Sequence, residues 1–318
     1  MPRIEIGSWV EAFVLWLLQN ASGFFDGLGA VVTAVVDAVT AVFTTPPWWV
    51  WLILLVLLAL LVRGIAFAVF TLVGFALVSS FDLWEEAMET FGLIIVATVI
   101  AVGIGVPLGI WTARSRAASR ALRPVLDLAQ TIPAFVYLIP VVLLFGVGVT
   151  PGIVATIVFS IAPAVRLTEL GIRGVDDEVV EAAHAFGAKP RQILREVQLP
   201  MALPSIMAGV NQVIMLALSM VVVAGLAGAD GLGTTVVSAV TQLDIADGVE
   251  GGIAVVIVAI FLDRFTSALA ERPDSGLLTK LRKRQAAGSA SGSSSSTTSV
   301  GLSQPGASGV AGAGAGTA

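Results

Sequence analysis

The stretch Glu181-Ala-Ala-His-Ala-Phe-Gly-Ala-Lys-Pro-Arg-Gln-Ile-Leu-Arg-Glu-Val-Gln-Leu-Pro200 is a polar island in an otherwise apolar chain. Just upstream, Asp176, Asp177 and Glu178 suit the first turn of a helix, where carboxylates meet the positive end of the helix dipole. Val179, Ala182, Ala183 and Phe186 recur at helical spacing and predict one apolar stripe over Asp176 to Phe186. Gly187 falls where a helix ends on a left-handed residue. Pro190 fits the first turn of a second helix with Ile193, Leu194 and Val197 on its apolar face. Pro200 and Pro204 are expected to close that helix and begin the next membrane span. The reading is a helix-turn-helix hung from a bilayer, with small residues that let another surface approach. An ordinary interfacial hairpin is the bland alternative, and Glu-Ala-Ala alone does not separate the two.

Composition sets the class. A chain of 318 residues that is 57% hydrophobic and 12% charged, with mean hydropathy +0.96, is counted in membrane spans rather than soluble domains. It has no cysteine, which removes disulfides, thiol catalysis and Cys-based metal sites. The one histidine, His184, has no partners for a metal site and reads as a solvated helix residue, so no metal is expected. No nucleic-acid partner is expected either. The N-terminus does not read as a secretory signal, because Glu5 and Glu11 interrupt the basic start and apolar core that one needs.

Apolar runs lay out the rest, given that a crossing helix needs roughly 20 residues. Residues 1–47 hold shorter runs broken by Glu11, Asp26 and Asp37 and predict amphipathic helices at the outer membrane surface. An extra span over Gly27–Phe43 is the alternative. Two accessory spans, Trp49–Val62 and Ile65–Ser80, fill residues 48–80, with Arg63-Gly64 as a tight turn. Residues 84–270 form the main transmembrane region, with spans near Phe91–Trp111, Val125–Val147, up to Leu167, Pro204–Ala227 and Gly251–Ala270. Gly103, Gly105, Pro107 and Gly109 lie along the first of these and predict close helix packing, since no strand precedes them as a phosphate-cradling loop requires. Gln130-Thr-Ile-Pro133 and Pro140 lie in the second and should kink it. The organising loop covers 168–203, and residues 228–250 read as an acidic, Gly-rich loop. Residues 271–318 form a basic segment followed by a Ser/Ala/Gly-rich tail that has no means of burying a core and is expected to be disordered. The fold class is therefore all-α, a polytopic membrane protein of about seven spans.

Charge gives the orientation. Residues 112–124, 166–203 and 271–285 carry four, five and five Lys/Arg, whereas 81–90 and 228–250 each carry four acidic residues and no Lys/Arg. The positive-inside rule makes the basic segments cytoplasmic, with the N-terminus outside and the C-terminus inside. Trp48, Trp49, Trp51 and Trp84 then share the outer interface and Trp111 the inner one.

At this point the residues resemble a family. Glu181, Ala182, Ala183, Gly187, Leu199 and Pro200 match, residue for residue, the loop by which ABC-importer permeases dock on their ATPase; Val197 stands where isoleucine is usual. Over about 84–270 the chain is similar to glycine betaine/proline betaine permeases. Gln130-Thr-Ile-Pro-Ala-Phe-Val-Tyr-Leu-Ile-Pro140, Gly171-Ile-Arg173, Asn211-Gln212, Leu216-Ala-Leu-Ser-Met-Val-Val222, Asp230-Gly-Leu-Gly233 and Leu262-Asp-Arg264 carry that likeness. Asp230 departs from it, because such permeases tend to have a small residue there. The resemblance implies a type I ABC-importer-like permease working as a homodimer, with cytoplasmic ATPase subunits that bind ATP and Mg and an extracytoplasmic solute-binding protein. The cargo would be glycine betaine, proline betaine, choline or a related quaternary amine, and this chain would hold no cofactor and no catalytic residue.

Other classes compete. A self-sufficient pump needs Gly-x4-Gly-Lys-Ser/Thr, yet none of the three lysines, Lys189, Lys280 and Lys283, follows a glycine. An ion-coupled secondary transporter usually buries a charge in mid-span, and the spans from Ile65 to Ala227 hold no mid-span charge, Asp127 lying near an inner end. A structural membrane subunit, or a permease for another small solute, remains open at this level. Quaternary ammonium capture favours an aromatic cage. The spans offer one tyrosine, Tyr137, so capture is expected in the binding protein and only weak contacts in the pore. Gln130, Thr131, Tyr137, Asn211, Gln212 and Ser219 are candidate pore-lining groups, with interhelical hydrogen bonding as the ordinary alternative.

Overall fold

Hydrocarbon offers a backbone no water to bond with, so a chain this apolar satisfies its amides within helices. In the computed structural model, which describes residues 6–270, every regular element is helical. The first three helices are α1 (Ile6–Thr44), α2 (Trp48–Arg63) and α3 (Ile65–Ser80). The next four are α4 (Trp84–Arg114), α5 (Arg116–Thr131), α6 (Ala134–Phe145) and α7 (Val149–Arg173). The polar loop holds α8 (Asp177–Ala185) and the single turn α9 (Pro190–Gln192). A π-helical turn, Ile193–Gln198, leads into α10 (Leu199–Ser219), followed by α11 (Val221–Leu226), α12 (Leu232–Gln242) and α13 (Ile245–Ala270). The expectations for the basic segment and tail after residue 270 lie outside the described residues.

Helices α4, α7 and α10 make the centre, and small residues let them touch. A Cβ on Gly105 would stand 2.6 Å from that of Ala164, and one on Gly109 would stand 2.5 Å from that of Thr168. Gly171 meets α10 in the same way, 2.7 Å from the Cβ of Ser205. The glycine string read as close packing does that work at two positions, while Gly103 has open space around it. Beside this centre, α2, α3 and α13 bury an aromatic knot. Phe261, fully buried, stacks on Phe67 with centroids 5.6 Å apart and meets Phe75 edge-on at 5.4 Å.

Among the described residues five helical stretches are long and apolar enough to cross a membrane, or six if the bent pair α5 and α6 is one span. The α2–α3 pair has 16 residues per helix, about 24 Å each, against a hydrocarbon core of roughly 30 Å. Gly64, with φ +88°, is the whole turn between them.

The N-terminal region differs from the several surface helices expected. It is one long helix, broken only at Ala21 (φ −133°, ψ 17°). Before the break Trp9, Phe13 and Trp16 are exposed; after it the helix lies against the bundle. Those contacts fall at one end: Thr40 backs onto Gly92, Val36 packs with Leu93 and Ile153, the Thr33 and Thr150 hydroxyls are 2.9 Å apart, and Phe25 meets Phe145. By length and composition α1 could cross a bilayer, and it packs against the N-terminal third of α4 and the start of α7.

Three further expectations are corrected. The proposed single span over 125–147 is two helices bent by 98°. The break falls at Ile132-Pro133, both extended (ψ 130° and 135°), because a residue before proline is pushed out of the helical region. Pro140 sits inside α6 without ending it. Pro200 and Pro204 do not close the second loop helix: residues 190–219 run as one helix. The π-helical turn explains this for Pro200, since its wider hydrogen-bond spacing relieves the clash a proline ring makes with the carbonyl four residues back, while Pro204 sits within α10 without ending it. Finally, 228–250 is largely helix. There α11 and α12 cross backbone to backbone, a Cβ on Gly233 falling 2.2 Å from the Val221 carbonyl oxygen. Gly231 (φ +104°) turns the chain so that the Leu232 amide donates to the Thr90 hydroxyl at 2.8 Å.

Candidate functional site

The polar helix-turn-helix is built by local rules. Asp176 caps α8, its carboxylate accepting from the Glu178 amide at 3.0 Å. At the far end the Gly187 amide donates to the His184 carbonyl (2.9 Å) and the Ala188 amide to that of Ala183 (3.1 Å), with Gly187 at φ +80°. This pair of bonds is a Schellman stop, and the left-handed turn read from the sequence is there. Gln192 then caps the start of α9, its side-chain oxygen accepting from the Lys189 amide at 2.9 Å.

The face that α8 buries is not the one expected. No residue of α8 is fully buried; Phe186 is 92% exposed and Val179 is exposed, with Ala182 and Glu181 beside them. Val180 and Ala183 are half-buried on the inner side. Periodicity located a stripe correctly but not what covers it, and most of this stripe points away from the bundle. The motif is anchored instead by Val175 and Ile193, and by a cluster in which Ile172, Ala202 and Ile206 pack with Leu194 and Leu199. Leu199 is half-buried and Pro200 exposed.

The candidate pore residues separate. Thr131 donates to the carbonyl of Asp127 (2.9 Å) and Ser219 to that of Leu216 (2.7 Å), both within their own helices and both exposed. Gln212 is exposed and Gln130 half-buried. Tyr137 packs among Leu138, Ala155 and Met220, and its buried hydroxyl meets no partner. Asn211 is a tie between helices: its amide donates to Asp263 (3.3 Å) and its oxygen accepts from Thr266 (2.8 Å), both on α13.

Sequence reasoning passed over a charged cluster where α4, α5 and α7 meet. Glu169 is 7% exposed, accepts the Ser119 hydroxyl at 2.7 Å and faces Arg173 at 3.2 Å and Arg123 at 3.5 Å. Asp127 pairs with Arg166 nearby. The signal was available as Arg166, Glu169 and Arg173 at helical spacing, but residues past 167 had been assigned to a loop. Among the described residues the same geometry gathers arginines at one end and unpaired carboxylates at the other. This end holds Arg114, Arg116, Arg123, Arg166 and Arg173, while Asp37, Glu89 and Asp230 line a pocket of about 210 Å³ at the other.

An all-helical bundle with a capped helix-turn-helix projecting from its basic end has the build of a type I ABC-importer permease. Residues 105–276 match the family described as binding-protein-dependent transport system inner membrane component. The chain belongs to that family, and is a multi-pass membrane protein. It is 43% identical over 278 residues to the glycine betaine transport system permease protein OpuAB of Bacillus subtilis, covering 84% of this chain and 94% of that one. It is 47% identical over 279 residues to the glycine betaine/carnitine transport permease protein GbuB of Listeria monocytogenes, covering 86% and 99%. A chain of the inward-facing MetNI methionine ABC transporter shares the fold, with TM-score 0.53 and 21% identity over 60% of this chain and 96% of that one.

Proposed function

We propose that this chain is the permease subunit of an ATP-driven importer that carries glycine betaine, or a related compatible solute such as proline betaine or choline, into the cell. The observation that carries this reading is identity of 43% and 47%, over nearly the whole length of each relative, to permeases named for glycine betaine. ATP and Mg belong to a separate cytoplasmic ATPase, and this chain needs no cofactor. The basic end faces the cytoplasm under the positive-inside rule, with the N-terminus outside and the C-terminus inside. The contacts of α1 with the acidic end are what an outer-surface helix would make.

Glu181, Ala182, Ala183, Gly187, Leu199 and Pro200 form the docking element for the ATPase. Uncovered Val179 and Phe186 support this, for an apolar patch held in water marks a partner site. Closure of the ATPase pair moves α8, and the permease turns its cavity outward to receive solute from a binding protein. Exposed Gln212 and Ser219 on the apolar α10, with Thr131 exposed at the end of α5, support a homodimer, because polar groups in a span face a partner or a wet cavity rather than lipid. Gln130, Tyr137 and Asn211 line or brace the same path. The test is uptake of a panel of labelled betaines, choline and amino acids after co-expression with the ATPase and binding protein. Uptake confined to amino acids would refute the betaine assignment.

A further inference from the structure

The basic end contains a clasp directly beneath α8. Helices α5 and α7 run antiparallel, joined by Arg123 to Glu169 and by Asp127 to Arg166. The Oε1 atom of Glu169 also takes the Ser119 hydroxyl and faces Arg173. Arg173 in turn donates to the Thr112 carbonyl at 2.7 Å and that of Ala113 at 3.3 Å, the last carbonyls of α4. One buried carboxylate therefore holds α5 directly and α4 through an arginine. Beside it lies a cavity of about 420 Å³, whose apolar walls are Leu122, Leu126 and Val165.

Position gives this carboxylate its consequence. Only Gly174–Asp176 separate the end of α7 from α8. On the other flank, the return leg of the loop runs unbroken through the π-helical turn into α10. A displacement of α8 thus reaches α10 through the turn over residues 187–189 and one continuous helix, but it reaches α5 only across side chains, at this clasp and where Leu126 packs on Ala162 and Val165. Helix α5 carries Gln130 and Thr131 and ends at the 98° break. We infer that Glu169 is a positioning residue that makes α5 follow α7 when α8 moves, an inference that rests on the permease reading above. With the clasp cut, the ATPase still pulls on α8 but the path-lining segment no longer follows in step.

The readout is solute carried per ATP hydrolysed, which a purely structural residue would not change. Proteoliposomes holding the permease and its ATPase, with binding protein and labelled glycine betaine, are compared for wild type, Glu169→Gln and Ser119→Ala. Glu169→Gln leaves no buried guanidinium stranded, since Arg173 keeps its two carbonyls and Arg123 is 62% exposed. It is expected to lower solute per ATP about five-fold, and Ser119→Ala about two-fold. An unchanged ratio in both variants, including the case where amount and both rates fall together, overturns the inference. Should Glu169→Gln fail to reach the membrane, Ser119→Ala, which deletes one hydroxyl, decides alone. Wild-type vesicles that hydrolyse ATP but import no betaine would instead overturn the permease reading, and this inference with it.

Discussion

Replacing Gly187 by valine separates a docking element from a connecting hairpin. Gly187 sits at φ +80°, and a Cβ built there meets nothing within 4 Å. Steric collision therefore contributes nothing, and the whole cost is backbone strain. A left-handed conformation costs an L-residue roughly 1–2 kcal/mol, more for a β-branched side chain. That energy is charged to the Schellman stop, where two short bonds close α8. A shift of 1–2 kcal/mol lowers the population of the native turn about 5–30-fold relative to its frayed alternatives. No buried contact is lost with it, so insertion into the bundle is expected to survive. A graded series follows: Gly187→Asn nearly neutral, because asparagine tolerates this region, Gly187→Ala intermediate and Gly187→Val worst. Membrane amount, retention of the ATPase on purification, uptake and solute-stimulated ATP hydrolysis are measured for each. Uptake and stimulated hydrolysis should fall together along the series at constant protein. Full uptake and normal ATPase retention in Gly187→Val would refute the docking assignment.

Glu181→Ala should weaken ATPase retention mildly and leave folding stability within about 1 kcal/mol, since the carboxylate is exposed. Gly109→Val should cost the protein its place in the membrane, because a side chain there would lie 2.5 Å from the Cβ of Thr168, and expression of Gly103→Val, with open space, is the control. Asn211→Leu removes the tie to Asp263 and Thr266 and should lower the detergent melting temperature, at a cost of about 1–2 kcal/mol; an unchanged melting curve would count against the interhelical role. Because the chain has no cysteine, single cysteines report topology. Glu85→Cys and Asp244→Cys should react with an impermeant reagent in intact cells, and Ala117→Cys and Ala185→Cys only after permeabilisation; all four positions are exposed.

What the sequence disclosed of the fold follows from which interactions leave a pattern. Long apolar runs announced α4, α7 and α13 because burial in hydrocarbon acts on composition directly. The break at Ile132-Pro133 was legible because a residue before proline is pushed out of the helix, whereas Pro140, expected to kink the same run, sits inside α6. The π-helical turn at Ile193–Gln198 left no trace, since a change of hydrogen-bond register does not alter which residues are apolar. Glycines misled in the 228–250 region. Gly231 and Gly233 had the composition of a loop, but Gly233 is small so that α12 can cross α11 at Gly225, backbone to backbone. Asp26 and Asp37 likewise looked like interruptions in residues 1–47. A helix laid over one end of the bundle can turn Asp37 into a polar pocket without ending.

The outward stripe of α8 shows why a site can be located by sequence and still misread. Exposed apolar side chains are ordinary on this molecule: Ile139 is 65% and Val69 54% exposed, and both lie in helices that hydrocarbon would cover. Phe186 is 92% exposed under different circumstances. It follows α7 beyond Arg166 and Arg173, past charges that hydrocarbon would not accept, on a helix with no buried residue of its own. Leaving a phenylalanine there in water forgoes roughly 2 kcal/mol of burial, and among the described residues nothing covers it. The periodicity that predicted an apolar face was therefore sound as a statement about α8, and the docking proposed above would supply the surface that covers it. On that argument Phe186→Ala should raise the solubility of the isolated permease while weakening its hold on the ATPase. Equal ATPase retention by wild type and Phe186→Ala would show that the stripe has no partner.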